Sequence, residues 1–426
     1  MYRLTRRAFL AASAAVAVVP PCVLGGPGHV PPSDVLTRAG IGTGAKGLTH
    51  VRPNPDNGPT VQLAVCDVDR GRLGRAREKA GRGCRAFGDF RRLLDSVRPD
   101  VVVVATPPHW HALVTLAAVR RGRDVLCEKP MTRFIAEGRA VADAARRYGR
   151  VVGTNTLGRD GLWRTLRKAI AAGVLGRPLA VRLGPSTGFG FKMRTWLGRT
   201  DLAPQPVPAD LDYDLWLGPA PAKPYHPHRV HRTFRGYWDY DGGGLTDVGQ
   251  HWVDAIQYAL AKDDSGPVRV EADAPRPAHP DAVGPWRTAV VEYADGTHLT
   301  LESGAAERFN AAALQPFMRG PDGAVVYHPE RRRLTFDPPD LADLVRAYRD
   351  PPATIAFEEA VRTRSPAPMR LPDAEAAHRS VTVLHLVNLS IRLGRSIRWN
   401  PQAEEVLGDP EAGRLVHPPL RPPWHL

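Results

Sequence analysis

The sequence is poor in several residues that would point to a specialised architecture. Of its 426 residues only four are cysteines, Cys22, Cys66, Cys84 and Cys127. The last three show no paired spacing, so neither a disulfide framework nor a zinc site is indicated, and no metal is expected. Cys66 and Cys127 each end an apolar, strand-like run, where a buried thiol acts as a small hydrophobe. No apolar run reaches the roughly 20 residues that a membrane-spanning helix needs. Lysine is scarce as well, with seven against 51 arginines. The formal charge of +14 therefore reflects a bias toward arginine. The arginines are dispersed, the longest basic run is Arg331, Arg332 and Arg333, and no basic patch is interleaved with aromatics. This pattern argues against a nucleic-acid partner. It also gives weight to any lysine inside a motif, because arginine does not readily release a proton.

What is present begins at the N-terminus. Thr5-Arg6-Arg7-Ala8-Phe9-Leu10 places paired arginines before an apolar run over residues 11–19. That is the layout of a twin-arginine export signal, expected over residues 1–30. An ordinary secretory signal or a basic tail stays open as an alternative. Pro20 and Pro21 stand where small residues would precede a lipidated Cys22, so the expected product is soluble, exported to the periplasm or beyond, and free of the membrane after export. With 43% hydrophobic residues, the remainder is long enough for two domains with sizeable cores.

Residues 35–41 form a strand-like run followed directly by Gly42-Thr43-Gly44-Ala45-Lys46-Gly47. A G-x-G-x-x-G pattern between strand and helix lets the backbone approach a pyrophosphate. Gly42, Thr43, Gly44, Lys46 and Gly47 are thus candidate cofactor residues. The next apolar run, 61–66, ends at Asp67, 20 residues past Gly47. A carboxylate there accepts bonds from the adenosine ribose, so NAD is expected ahead of NADP; an ordinary turn aspartate is the alternative. Further strands at 101–105 and 124–127, with a helix between them, indicate a doubly wound parallel sheet of Rossmann type over residues 33–153. At strand ends stand Thr106-Pro107-Pro108-His109-Trp110-His111 and Glu128-Lys129-Pro130. Thr106, Pro107, His111, Glu128 and Lys129 join the cofactor candidates, with a plain proline-stiffened turn as the other reading of the first motif.

With Glu128-Lys129-Pro130 behind that fingerprint, the chain resembles the glucose-fructose oxidoreductase / inositol dehydrogenase / MocA (Gfo/Idh/MocA) family. The resemblance extends to Gly242-Gly243-Gly244-Leu245-Thr246-Asp247-Val248-Gly249-Gln250-His251-Trp252-Val253-Asp254, to Trp216-Leu217-Gly218-Pro219-Ala220-Pro221 and to Ile397-Arg398-Trp399-Asn400-Pro401. The last two are similar to the exported branch of the family. The resemblance implies that Lys129, Asp247 and His251 are the catalytic set, with His251 as general base, Lys129 stabilising charge on the reacting oxygen and Asp247 orienting both substrate and imidazole. It implies that Glu128 holds cofactor ribose and that one face of the second sheet covers the site while the other packs on another subunit of a homo-oligomer.

The residues give a compatible picture. Thr246 is a good N-cap, and a helix over 247–261 puts Asp247, His251, Asp254 and Tyr258 on one face. Arg235 and Tyr237 are candidate contacts to a sugar-like substrate. Where the family often has a Gln-Arg-like stretch, this chain has Thr154-Asn155-Thr156-Leu157-Gly158-Arg159. His226, His228 and His231 are interrupted by Pro227 and suit a loop at the mouth of the site better than a metal centre. A hairpin across Asp295-Gly296 and alternating runs nearby predict a C-terminal α+β domain, 154–400, with a large, mostly antiparallel open sheet, followed by a tail at 401–426. The expected activity is NAD-dependent oxidation or reduction of a sugar hydroxyl, with the cofactor retained through export. A glycoside hydrolase or lyase using transient oxidation and a non-catalytic sugar-binding protein are the alternatives.

Overall fold

The computed structural model describes residue 31 and residues 34–426, except 54–59, 185–186, 188, 276–279, 305–315 and 328–333. The expected export signal, with Cys22, lies outside the described residues.

The N-terminal domain alternates strand and helix: β1 (Leu36–Ile41), α1 (Ala45–His50), β2 (Thr60–Cys66), α2 (Arg70–Ala80), β3 (Arg85–Phe87), α3 (Phe90–Ser96), β4 (Val101–Val104), α4 (Pro108–Arg120), β5 (Asp124–Glu128), α5 (Ile135–Tyr148) and β6 (Val152–Asn155). The strands lie in the order β3-β2-β1-β4-β5-β6, and every pairing is parallel. β4 consists of four consecutive valines, all buried, as a strand with helices on both faces requires. Pro108 opens α4, where its missing N–H costs nothing. α5 is fixed at its start by Glu137, whose Oε2 accepts from the backbone N–H groups of Arg133 and Phe134. The order of strands reverses between β1 and β4, which opens a crevice at their carboxyl ends.

After α6 (Leu162–Ala171), the second domain contains β7 (Ala180–Leu183), α7 (Phe189–Thr195), α8 (Tyr213–Leu217), α9 (Gly243–Ala259), β8 (Arg269–Asp273), β9 (Thr288–Glu292), β10 (His298–Glu302), β11 (Pro316–Arg319), β12 (Val325–Tyr327), β13 (Thr335–Asp337), α10 (Leu341–Ala347), α11 (Phe357–Thr363), α12 (Ala374–Leu393), β14 (Ile397–Asn400), β15 (Glu405–Val406) and α13 (Pro410–Val416). Nine strands form one sheet, β13-β12-β11-β7-β10-β9-β8-β14-β15, in which only β7 and β10 run parallel. The hairpin across Asp295 and Gly296 is the β9–β10 pair.

Two features depart from the expected layout. α9 begins at Gly243 with Gly242 as its N-cap, so Thr246 is inside the first turn and its hydroxyl donates to Asp241 Oδ1 at 2.7 Å. Residues 401–426 carry β15 and α13 and then return to the first domain, where Trp424 packs edge-on against Trp110 at 4.7 Å.

α12 lies where the domains meet and is buried on almost every face. Ala374, Ala377 and Val381 join the core of the parallel sheet, while Val383, Leu384, Leu386 and Val387 join that of the second domain. Among its buried polar side chains, His378 bonds to Glu404, Ser380 to the Ala377 carbonyl and Ser390 to the Arg395 carbonyl. Asp373 caps its start through Ala376 N, and Gly394 ends it in the left-handed region. Among the described residues no helix is long and apolar enough to cross a membrane.

Candidate active site

The site is built from the loops that leave β1, β2, β4 and β5. Gly42 follows β1 at φ +83°, and a Cβ there would stand 2.5 Å from Thr106 N. A Cβ on Gly47 would stand 1.9 Å from Gly42 O, so α1 can lie against this loop only with glycine at both places. Thr43 donates from its backbone N–H (2.7 Å) and its hydroxyl (3.0 Å) to Asp67 Oδ2, and Asp69 N donates to Oδ1 at 3.0 Å. The carboxylate at the end of β2 is thereby fixed beside the glycine loop. Gly42, Gly44, Lys46 and Asp67 line a cleft of about 660 Å³, within the usual range for a ligand site. Thr43 and Gly47 shape the loop from behind and do not line it.

Thr106, Pro107 and His111 also line the cleft. His111 is buried with Nδ1 2.7 Å from Pro130 O and Nε2 2.7 Å from Thr106 O. Both ring nitrogens therefore face backbone carbonyls, and burial lowers its pKa. The ring clasps the β4 and β5 loops together; its nitrogens are not presented to a cofactor. The Thr106 hydroxyl is buried without a partner in the same wall.

Glu128 Oε1 is met by His50 Nε2 at 2.6 Å, Asn155 Nδ2 at 2.7 Å and Lys46 Nζ at 3.4 Å. Burial pushes its carboxyl up, but hydrogen bonds from His50 and Asn155 and the charge of Lys46 outweigh that and hold it at about 2. It is an ionised acceptor, in keeping with a ribose contact. Neither His50 nor Asn155 carries a sequence signal for this role.

The opposite wall comes from α9. Gly244 has no room for a side chain, since a Cβ would stand 2.4 Å from the backbone of Lys192 and Met193. This close approach lays α7 against α9 and brings Lys192 and Trp196 to Asp247. The Asp247 carboxylate is 3% exposed and accepts at Oδ1 from Lys129 Nζ (2.9 Å) and Arg235 Nε (2.9 Å). At Oδ2 it accepts from Trp196 Nε1 (3.0 Å) and Lys192 Nζ (3.0 Å). Lys129 also donates to the Asp247 carbonyl. Burial alone would raise the carboxyl, yet Lys129, Arg235 and Lys192 together hold it well below the usual carboxylate range. Lys129, Asp247 and Arg235 thus meet in one cluster as the sequence suggested, while Lys192 and Trp196 complete it unannounced. Lys192 had one signal available: it is among the seven lysines, three of which line this cleft.

His251 stands one turn beyond Asp247 on α9, partly buried and not among the residues that line the cleft, and its Nδ1 is buried without a hydrogen-bond partner. Burial and the charge of Lys129 lower its pKa to about 4, so the imidazole is neutral at ordinary pH. Tyr237 does not reach the cleft. Its ring is fully buried in an aromatic cluster, and its hydroxyl accepts from Arg199 N (3.3 Å) and pairs with His228 Nδ1 (2.6 Å). An aromatic two residues from a cleft-lining arginine proves to be core here.

The stretch after β6 serves α9 as well. Thr156 Oγ1 donates to Asp254 Oδ2 at 2.8 Å, Arg159 Nη2 donates to Asp254 Oδ1 at 2.6 Å, and Arg159 forks onto Asp263 at 3.0 Å. This buried lattice ties α9 to the first domain, so Asp254 is a structural anchor. Of the three loop histidines only His231 lines the cleft, 3.4 Å from Asp69. Among the described residues no cluster of histidine, cysteine and carboxylate side chains could hold a metal.

Comparison with known proteins bears on both halves. Residues 38–156 match the family model described as oxidoreductase family, NAD-binding Rossmann fold, and residues 161–426 match its C-terminal alpha/beta domain. The chain is 35% identical over 127 residues to a 1,5-anhydro-D-fructose reductase of Ensifer adhaerens and 33% identical over 151 residues to an inositol 2-dehydrogenase of Saccharopolyspora erythraea. These matches cover 30% and 34% of this chain and only 37% and 45% of the relatives. The fold resembles that of the WlbA dehydrogenase from Bordetella pertussis, solved with NADH and UDP-GlcNAcA (TM-score 0.56, 17% identity, 86% of this chain and 99% of that one). It also resembles an aldose-aldose oxidoreductase from Caulobacter crescentus (TM-score 0.54, 18% identity, 85% and 99%).

Proposed function

The chain belongs to the Gfo/Idh/MocA oxidoreductase family, with an NAD-binding Rossmann domain, and from this premise we propose that it is an exported enzyme that oxidises or reduces a hydroxyl of a sugar or sugar derivative. The observation that carries this reading is the Lys129–Asp247 contact, in the wall of the cleft whose other end holds Gly42 and Asp67. The residues fit the cofactor: Gly42 and Gly44 put no side chain of their own into the loop, Arg72 Nη1 lies 2.7 Å from where a Gly44 Cβ would stand, and Asp67 and Glu128 are ionisable acceptors beside it.

When bound, NAD supplies the acceptor or donor of a hydride. The protein supplies the rest. Lys129 donates a hydrogen bond to the reacting oxygen and stabilises the charge that develops on it. Asp247, ionised and encircled by cations, fixes where Lys129 and Arg235 point. His251, neutral, takes the hydroxyl proton at Nε2, since its Nδ1 is buried inside the protein. Asp67 and Glu128 accept from the two riboses.

The paired Arg6-Arg7 before an apolar run supports export by the twin-arginine route, and a location with little free NAD favours a cofactor loaded beforehand and returned to NAD in each cycle by passing its hydride to a second compound, which is reduced. The same reading makes the protein a homo-oligomer whose second sheet packs on another copy, which sedimentation checks. The experiment is to purify the exported protein, release and identify any bound nucleotide, and offer free sugars and aryl glycosides without added NAD. Bound NAD with sugar oxidation is expected. Cleavage of the glycosides would redirect the reading to bond breaking, and oxidation only after NAD is added would refute retention.

A further inference from the structure

Charge is distributed unevenly along the cleft. At the cofactor end Lys46 and Arg72 face Asp67 and Glu128, so cations and carboxylates are matched. At the other end Lys129, Lys192, Arg232 and Arg235 face a single lining carboxylate, Asp247. Adding Asp241, buried behind this wall with Oδ2 3.9 Å from Arg235 Nε, still leaves the cations two ahead. Asp247 needs one cation to be neutralised, and it already has Lys129 and Arg235 at 2.9 Å.

The surplus is organised around one side chain. The indole of Trp196, anchored by its Nε1 on Asp247, has Lys192 Nζ 5.6 Å, Arg232 5.5 Å and Arg235 5.1 Å from its ring centroid. Stacking on an aromatic face holds a guanidinium in place without consuming its donors. Arg232 is exposed at the edge of the cleft, and no carboxylate among the described residues is within ion-pair reach of it. Lys192 is 33% exposed, so its ammonium reaches solvent in the cleft while it touches Asp247. Like charges gathered in a partly desolvated wall repel one another unless an anion joins them. The glycine loop, with Arg72, already serves the cofactor end, so the cofactor phosphates do not account for this second group.

We propose that the substrate of this oxidoreductase is an anionic sugar whose carboxylate or phosphate sits between Lys192 and Arg232 on the Trp196 wall, with the reacting hydroxyl at Lys129. The assignment rests on the activity proposed above and narrows it to one substrate class. The anion is held by charge-assisted bonds from a preorganised fork, and the neutral part of the sugar extends toward the cofactor end.

The test is calorimetric titration of the full-length protein, with and without NADH, using D-glucuronate, D-glucose 6-phosphate and D-glucose at roughly 20 and 200 mM salt. One of the two anions is expected to bind at least about tenfold more tightly than glucose, with the advantage shrinking as salt rises. Preference for glucuronate identifies a carboxylate site and preference for the phosphate ester a phosphate site. Arg232→Gln should remove most of the preference and Arg232→Lys should keep much of it, both leaving NADH affinity unchanged. Equal affinity for glucose and both anions, or a preference untouched by Arg232→Gln, overturns the proposal. The titration without NADH decides the anion question by itself; a protein that prefers the anion but binds no NADH would support this site and refute the oxidoreductase reading.

Discussion

Asp254→Asn perturbs the site from a distance. Asp254 is fully buried and accepts from Thr156 Oγ1 and Arg159 Nη2, while Arg159 itself is 8% exposed. Asparagine fits the space but offers one acceptor where two are used. Its carbonyl can face Arg159 while its amide donates to the Thr156 hydroxyl, so what is lost is the charge of the ion pair. Breaking a buried ion pair costs about 3–5 kcal/mol. Asp263, one-third exposed, keeps its fork on Arg159 and softens the loss. The expected destabilisation therefore lies at the low end, about 3 kcal/mol. The lattice sets where α9 sits on the first domain, and Asp247 lies two turns earlier on the same helix. Turnover should accordingly fall by about 10- to 100-fold, as small misplacements of a catalytic group do. NAD affinity should hold, because the glycine loop touches none of these residues. Urea unfolding followed by tryptophan fluorescence, together with kcat and an NADH titration, measures all three. A stability loss under about 1 kcal/mol with unchanged kcat would refute the view that this lattice positions α9.

Three further outcomes follow from the same geometry. Gly47→Ala places a methyl group 1.9 Å from a backbone carbonyl that cannot move aside, so NAD binding measured by fluorescence should be lost while Gly413→Ala, which meets nothing within 4 Å, leaves it intact. With His251 held at about 4 by burial and Lys129, it protonates only below that pH, and kcat/KM should fall on the acid side near 4; a single inflection near 6.5 would contradict its burial. Burial raises Glu375 and Glu404, but bonds from Arg139 to both, with Arg379 on Glu375 and His378 on Glu404, bring them to about 2 from an ordinary 4.5. A depressed carboxyl stabilises the fold fully above its unfolded value, so this contribution, which ties α5 to α12 and to the turn before β15, should disappear as pH falls from about 4.5 to 2. Urea midpoints across that window should drop less in Glu404→Gln than in the parent.

The parallel sheet was legible because its signals are local: valine runs buried on both faces, and a glycine pattern whose three glycines have different steric duties. Lys129 and Asp247 were legible by motif. Their partners were not, for a physical reason in each case. Lys192 and Trp196 reach Asp247 only because Gly244 admits the α7 backbone, a tertiary contact that a seven-residue helix does not announce. The triple glycine before Leu245 suggests a loop, whereas Gly243 begins α9 with φ +70° and moves the start of the helix ahead of Thr246. Tyr237 has the chemistry of a sugar contact, and only packing shows that His228 and the backbone of Arg199 occupy its hydroxyl. His50 and Asn155 converge on Glu128 from elements 105 positions apart, beyond the reach of any spacing rule.

The central claim is that Lys129, set by Asp247, carries hydride chemistry on a sugar hydroxyl. A single-turnover experiment tests it most directly, following NADH absorbance after parent or Lys129→Met protein, each saturated with NAD, is mixed with the sugar that the titrations select. The expected result is NADH formation slowed by about a thousandfold or more in the variant, with NAD affinity within about twofold of the parent. NADH formed at the parental rate would contradict the account.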